Sequence, residues 1–153
     1  MTRINIIHPS HLSDKHLLAE YRELPRTVDL LVRYYYRKLV LNKQVTKIPE
    51  NYTMGTGHVT FFYNKYYYLA NRFDKIVKEC INRGFKIQYL ELKSIRQAVY
   101  CCEKDIAKFY LDILNEQIIW TPDNVDNKVN FIRLLERDGE FYTRLSQSDY
   151  LAP

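Results

Sequence analysis

Between Ser13 and Leu39 the apolar residues Leu17, Leu18, Tyr21, Leu24, Val28, Leu31 and Tyr35 recur near every 3.6 residues. A stripe of that length commits the chain to one long amphipathic helix, because only a helix brings all seven onto one face. Ser13-Asp14 supplies its start: a side-chain oxygen to cap free N–H groups, and an acid in the first turn. Pro25 lies inside the same run. It removes one hydrogen bond and crowds the carbonyl of Tyr21, so a kink is expected there.

The rest of the chain reads as further helices. Residues 40–57 form a loop, broken by Pro49, Asn51, Gly55 and Gly57. A second helix is expected from about Phe62 to Arg83, burying Leu69, Phe73, Ile76, Val77 and Cys80 and stopping at Gly84. Residues 92–102 are ambiguous but helical in tendency. A third helix covers roughly Glu103 to Ile118, with Ile106, Tyr110, Ile113 and Leu114 as its stripe. Thr121-Pro122 opens a fourth, by cap and first-turn proline, which runs to about Arg137. Strand-like alternation is scarce. The expectation is an all-α, single-domain chain: a compact bundle of about three to five helices with Arg3 to Pro9 packed as an extended N-terminal arm.

Charge is unevenly distributed. Residues 1–100 carry 17 Lys and Arg against 8 Asp and Glu, whereas residues 101–153 carry 6 against 10. A basic front and an acidic tail suggest one face built for a polyanion, although a solvated basic surface has the same composition. The runs Tyr34-Tyr35-Tyr36 and Tyr66-Tyr67-Tyr68 sit at helical positions and are expected to line core edges more than to stack on bases. Cys80, Cys101 and Cys102 make no metal or disulfide pattern, and nothing resembles a membrane span or signal peptide. An intracellular protein with reduced thiols is expected.

The first 26 residues carry the chemistry. Thr2 follows Met1, and a small residue there favours removal of the initiator, which leaves a free α-amine with a pKa of about 7.7. Such an amine is partly unprotonated at neutral pH. The stretch Glu20-Tyr21-Arg22-Glu23-Leu24-Pro25-Arg26 adds two carboxylates and two arginines within two helical turns. Amine, carboxylate and guanidinium together suit imine chemistry on a polyanion.

The opening Thr2-Arg3-Ile4-Asn5, the stretch Glu20 to Arg26, the Gly57-His58-Val59-Thr60-Phe61-Phe62-Tyr63 run and the Arg83-Gly84-Phe85 turn resemble the pyrimidine dimer DNA glycosylases, the phage-type endonuclease V enzymes for UV damage. The resemblance covers roughly residues 2–87. It implies a bundle of helices with the N-terminus threaded between them. It also implies excision of UV-induced pyrimidine dimers followed by nicking of the abasic site through β-elimination. On that resemblance the Thr2 amine is the nucleophile and Glu23 the essential carboxylate, with no metal or other cofactor. Arg3, Arg22 and Arg26 resemble phosphate-contacting and lesion-positioning arginines. His16 matches the family one turn before Glu20 and would orient site groups. Lys15 replaces a neutral polar residue and would add a phosphate contact. The Gly57–Tyr63 run reads as scaffold docking the second helix against the arm. The implied partner is double-stranded DNA carrying UV lesions or abasic sites, bound by a monomer without any membrane.

Residues 88–153 depart from the family, which ends in an aromatic, lysine-containing segment near the lesion. Here Trp120 is followed by an acidic helical stretch to Tyr150, so Trp120, Phe141 and Tyr142 are read chiefly as packing residues of an appendage. Two alternatives stay open on sequence grounds: a non-catalytic DNA-binding relative that keeps the basic face, and the same lyase chemistry on another damaged base.

Overall fold

The structure, a computed structural model, describes residues 4–92 and 103–138. Five α-helices follow an extended arm: α1 Asp14–Tyr35, α2 His58–Phe61, α3 Tyr66–Asn82, α4 Lys104–Asn115 and α5 Asn124–Asp138. No strand occurs among the described residues.

Helix α1 begins where the sequence places it, the Ser13 hydroxyl accepting the His16 backbone N–H at 3.2 Å. It passes through Pro25 to Tyr35 and then widens into a π-turn over Tyr36–Val40. Its apolar stripe is the spine of the core: Leu17, Leu24, Val28, Leu31 and Tyr35 are buried against Leu69, Phe73, Ile76 and Val77 of α3. Helix α3 is stopped by Gly84 in the left-handed region (φ 81°), with the Phe85 N–H returning to the Cys80 carbonyl at 3.0 Å.

Three expectations need correction. The second helix is not continuous from Phe62. The chain makes α2, then a 3-10 turn over Phe62–Asn64, and restarts at Tyr66. Phe61 and Phe62, on either side of the change from α-helix to 3-10 turn, are both fully buried. On α4, Ile113 is buried but Ile106 of the expected stripe is exposed. The last helix does not open with Thr121-Pro122. Asp123 caps it, its carboxylate accepting the Asp126 N–H at 2.8 Å while the Asp126 carboxylate accepts the Asp123 N–H at 3.1 Å. This reciprocal pair satisfies two amides that Pro122 could not engage. The expected helix over 92–102 lies almost wholly outside the described residues.

The segment after α4 docks onto the start of α3. The Gln117 side chain accepts the Tyr66 N–H at 2.8 Å and donates to the Tyr63 carbonyl at 3.2 Å, and Ile118 N–H bonds the Asn64 carbonyl at 2.8 Å. Trp120 then packs among Tyr52, Phe61, Phe62 and Tyr68, with ring centroids 4.9 to 6.1 Å apart. Phe131 and Leu134 of α5 are buried as well. The described C-terminal helices are therefore part of the core rather than an appendage. Phe141 and Tyr142 lie outside the described residues.

Candidate active site

The arm is extended but pairs with no strand, so its buried amides need side-chain acceptors. Three helices supply them. Ile4 N–H donates to His58 Nε2 at 2.8 Å, Asn5 N–H to Glu20 Oε1 at 3.2 Å, and Ile6 and Ile7 N–H to Asn130 Oδ1 at 2.7 and 3.2 Å. The Asn5 side chain adds a bond to Glu20 Oε1 at 2.8 Å. His58 Nδ1 lies 2.7 Å from the Thr53 carbonyl, which fixes the tautomer. Nδ1 carries the proton, and Nε2 is free to accept from the arm.

Glu20 is itself held by Arg72 through two contacts, Nε to Oε2 at 2.7 Å and Nη2 to Oε1 at 3.0 Å, with both side chains almost wholly buried. Arg72 also donates to the Ile7 carbonyl. Burial alone would lower the Arg72 pKa, but the Glu20 charge and hydrogen bond outweigh it and hold the guanidinium charged, above its usual value. Burial pushes the neighbouring Tyr68 phenol up, against the pull of Arg72, so it stays neutral. At the other end of the arm, Arg83 donates to the carbonyls of Pro9, Ser10 and Leu12 and pairs with Asp14 at 2.9 Å and Glu79 at 2.8 Å.

Helix α1 thus shows two polar stripes roughly a quarter-turn apart, at about 100° per residue. One contains Glu20, which bonds the arm, in line with His16, Glu23 and Thr27. Glu20 and Thr27 are buried, His16 is half-buried, and the Glu23 side chain is 26% exposed. The Thr27 hydroxyl is buried without a hydrogen-bond partner. The other stripe faces solvent: Lys15, Arg22, Arg26, Arg33 and Arg37 are all exposed. Lys15, Arg22, Arg26 and Arg33 fall within about 40° of arc and span about 27 Å of α1, and Arg37 follows one turn on, in the π-turn. Arg26 reaches between the stripes, Nη1 lying 3.1 Å from Glu23 Oε1.

Two grooves flank the basic stripe. One, of about 740 Å³, has Arg22, Tyr21, Pro25, Lys86 and Tyr89 in its walls, and the Tyr21 hydroxyl donates to the Tyr89 carbonyl at 2.9 Å. The other, of about 370 Å³, includes Arg33, Arg37, Tyr34 and Tyr63.

Of the residues singled out from sequence, Glu23, His16, Arg22, Arg26 and Lys15 lie on these stripes, while Thr2 and Arg3 fall outside the described residues. Glu20, Arg72 and Asn130 were not foreseen as arm-holding groups, whereas His58 belongs to the Gly57–Tyr63 run expected to dock against the arm. Arg33 and Arg37 were missed although the sequence carries a signal for them, since each lies 11 residues, about three turns, beyond Arg22 or Arg26. Among the described residues no cluster of His, Cys, Asp or Glu could hold a metal ion, and no helix is long and apolar enough to cross a membrane.

An arm buried along a helix whose solvent face is a basic stripe defines an all-helical protein suited to a polyanion. Comparison with known families is specific: residues 1–92 match the family described as pyrimidine dimer DNA glycosylase, and the chain belongs to that family of DNA-repair enzymes acting on UV-damaged DNA.

Proposed function

We propose that the protein excises pyrimidine dimers from duplex DNA and nicks the resulting abasic site through an imine formed by the Thr2 amine, with Glu23 as the assisting carboxylate. The uncharged amine attacks C1′ of the sugar, the C1′–N bond to the base breaks, and the base leaves with a proton from the amine. The nitrogen lone pair then opens the sugar ring at the C1′–O4′ bond, its remaining proton passing to O4′, and the imine so formed acidifies the 2′ proton. Glu23 removes that proton, and the electron pair expels the 3′ phosphate. No metal or other cofactor takes part.

The observation that carries this reading is the Asn5–Glu20 anchor. The arm runs antiparallel to α1: Arg83 holds its Pro9–Leu12 end beside Asp14, and Asn5 meets Glu20 further along. Glu23 is the next turn in the same direction. Thr2 precedes Ile4 by two residues, a span of at most about 7 Å, so its amine is within reach of the Glu23 turn. Arg22, Arg26, Arg33 and Arg37, with Lys15 and Arg3, would hold the duplex by its phosphates. The groove beside Arg22 has room for an extruded base. His16 shares the stripe of Glu20 and would orient the site.

The test is borohydride trapping on a duplex carrying one cis-syn thymine dimer, with protein shown by intact mass to begin at Thr2. An adduct mapped to the N-terminal peptide is expected. Its absence, or an adduct on a lysine, sinks the proposal.

A further inference from the structure

Asn130 lies on α5, beyond the stretch that matches the family, and is fully buried. Its side chain makes three bonds to the arm, and among the described residues no other side chain accepts from the Ile6 and Ile7 N–H groups. Oδ1 accepts both the Ile6 and Ile7 N–H groups, and Nδ2 donates to Asn5 Oδ1 at 2.8 Å. The orientation of the carboxamide follows from its partners, because two backbone donors require an acceptor. The same logic orients Asn5, which receives at Oδ1 from Asn130 and donates from Nδ2 to Glu20. A line of hydrogen bonds therefore runs from α5 through the arm to Glu20 on α1 and Arg72 on α3.

We infer that Asn130 is a positioning residue: it sets the depth and register of the arm, and so the place of the amine four residues ahead of Ile6. This rests on the proposed function. Without Asn130 the Ile6 and Ile7 amides are buried without an acceptor, and the arm gains by shifting until they find one. A displacement of about 1 Å at the reacting group is worth about a hundredfold in rate. The remaining anchors, His58 at the Ile4 N–H, Glu20 at Asn5, and Tyr52, Tyr68 and Arg72 at the carbonyls of Ile4, Asn5 and Ile7, hold the arm to the bundle but give the Ile6 and Ile7 amides no acceptor. Asn130 thus lets a region of acidic balance serve the chemistry through the arm.

The experiment uses full-length protein, enzyme in excess, and a duplex with a preformed abasic site. It measures the single-turnover rate of borohydride trapping, duplex affinity by anisotropy, and helicity by circular dichroism. For Asn130→Leu, similar in size but without polar atoms, a rate 10- to 100-fold lower is expected, with affinity within about twofold and helicity unchanged.

Asn130→Asp provides the readout that a merely structural role would not move. When protonated, the new carboxyl reproduces both the acceptor and the donor. When ionised, it faces Asn5 Oδ1 and lies one residue from the Glu20 charge, with Arg72 behind Glu20 and His58 at Ile4. Its rate relative to wild type should be near one at pH 5 and fall as pH rises. Wild type forming the adduct with Asn130→Leu at the same rate overturns the inference alone. So does a pH-independent ratio for Asn130→Asp, or rate loss in Asn130→Leu that only tracks lost helicity. Wild type giving no adduct overturns the functional reading and the inference with it.

Discussion

The Glu20 carboxylate and the Arg72 guanidinium, 52 residues apart in sequence, meet at two points in the centre of the bundle, at 2.7 and 3.0 Å. This pair ties α1 to α3 and offers Glu20 Oε1 to the arm at the same time. Removing one partner leaves a buried charge with no counterion, whereas removing both does not. Glu20→Gln or Arg72→Met should each cost about 3–5 kcal/mol in urea unfolding. The double variant should cost clearly less than the sum. Additive losses would mean that the two groups are not coupled in the folded protein.

Glu23 stands apart from that pair. It is partly exposed, on the next turn, and pairs with the exposed Arg26 at 3.1 Å. Glu23→Gln should leave stability within about 0.5 kcal/mol, as surface changes do. It should slow strand nicking at an abasic-site duplex by about 10²- to 10⁴-fold, while the imine is still trapped by borohydride and affinity changes little. A variant that keeps more than a tenth of the wild-type rate removes Glu23 from the chemistry.

The basic stripe gives a quantitative signature in salt. Each of Arg22, Arg26, Arg33 and Arg37 that touches a phosphate contributes about 0.9 to the slope of log affinity against log salt concentration. Arg33→Ala and Arg37→Ala should each flatten that slope by about one contact on undamaged duplex. Unchanged slopes would confine DNA to the Arg22–Arg26 end of α1.

Lys65 opens α3 with its ammonium buried against the Phe61 ring, donating to the Phe61 carbonyl at 2.8 Å and Asn64 Oδ1 at 2.7 Å. Burial lowers its pKa to about 8 from the ordinary 10.5. Between those values the unfolded chain holds a proton that the folded chain has released. Stability therefore rises with pH across about 8 to 10.5 and carries the full penalty below it. The penalty is at most about 3 kcal/mol. Lys65→Met should abolish this rise, so the difference in unfolding free energy between variant and wild type shrinks as pH increases. A difference independent of pH would show that Lys65 titrates normally.

The Thr27 hydroxyl is buried with no hydrogen-bond partner. Thr27→Val keeps its shape and removes the unsatisfied group, so thermal melts should show a gain of about 1 kcal/mol. A loss of similar size would mean that the hydroxyl is bonded in solution.

Much of the site was legible because helical periodicity is local. The Ser13 cap, the apolar stripe of α1 and the positions of Glu23, Arg22 and Arg26 on their faces follow from spacing alone. The same reasoning applied to Arg22 and Arg26 reaches Arg33 and Arg37 three turns on. The break between α2 and α3 was not legible, since it exists to bury Phe61 and Phe62 against Tyr52 and Trp120, which lie elsewhere in the chain.

What the amino-acid order determined by itself is the long helix α1, the approximate course of α3, α4 and α5, the basic face and the residue types offered for chemistry, all of them set by neighbours within a few positions. Only the tertiary structure decided what holds the arm. Glu20 reads in sequence as one of two carboxylates in the stretch Glu20 to Arg26, and Asn130 as one polar residue in an acidic stretch. Both are buried hydrogen-bonding partners of Asn5, 15 and 125 residues away. An extended segment without a strand partner must satisfy its amides with whatever the packed helices bring to it. That depends on how the bundle closes, which no local pattern encodes.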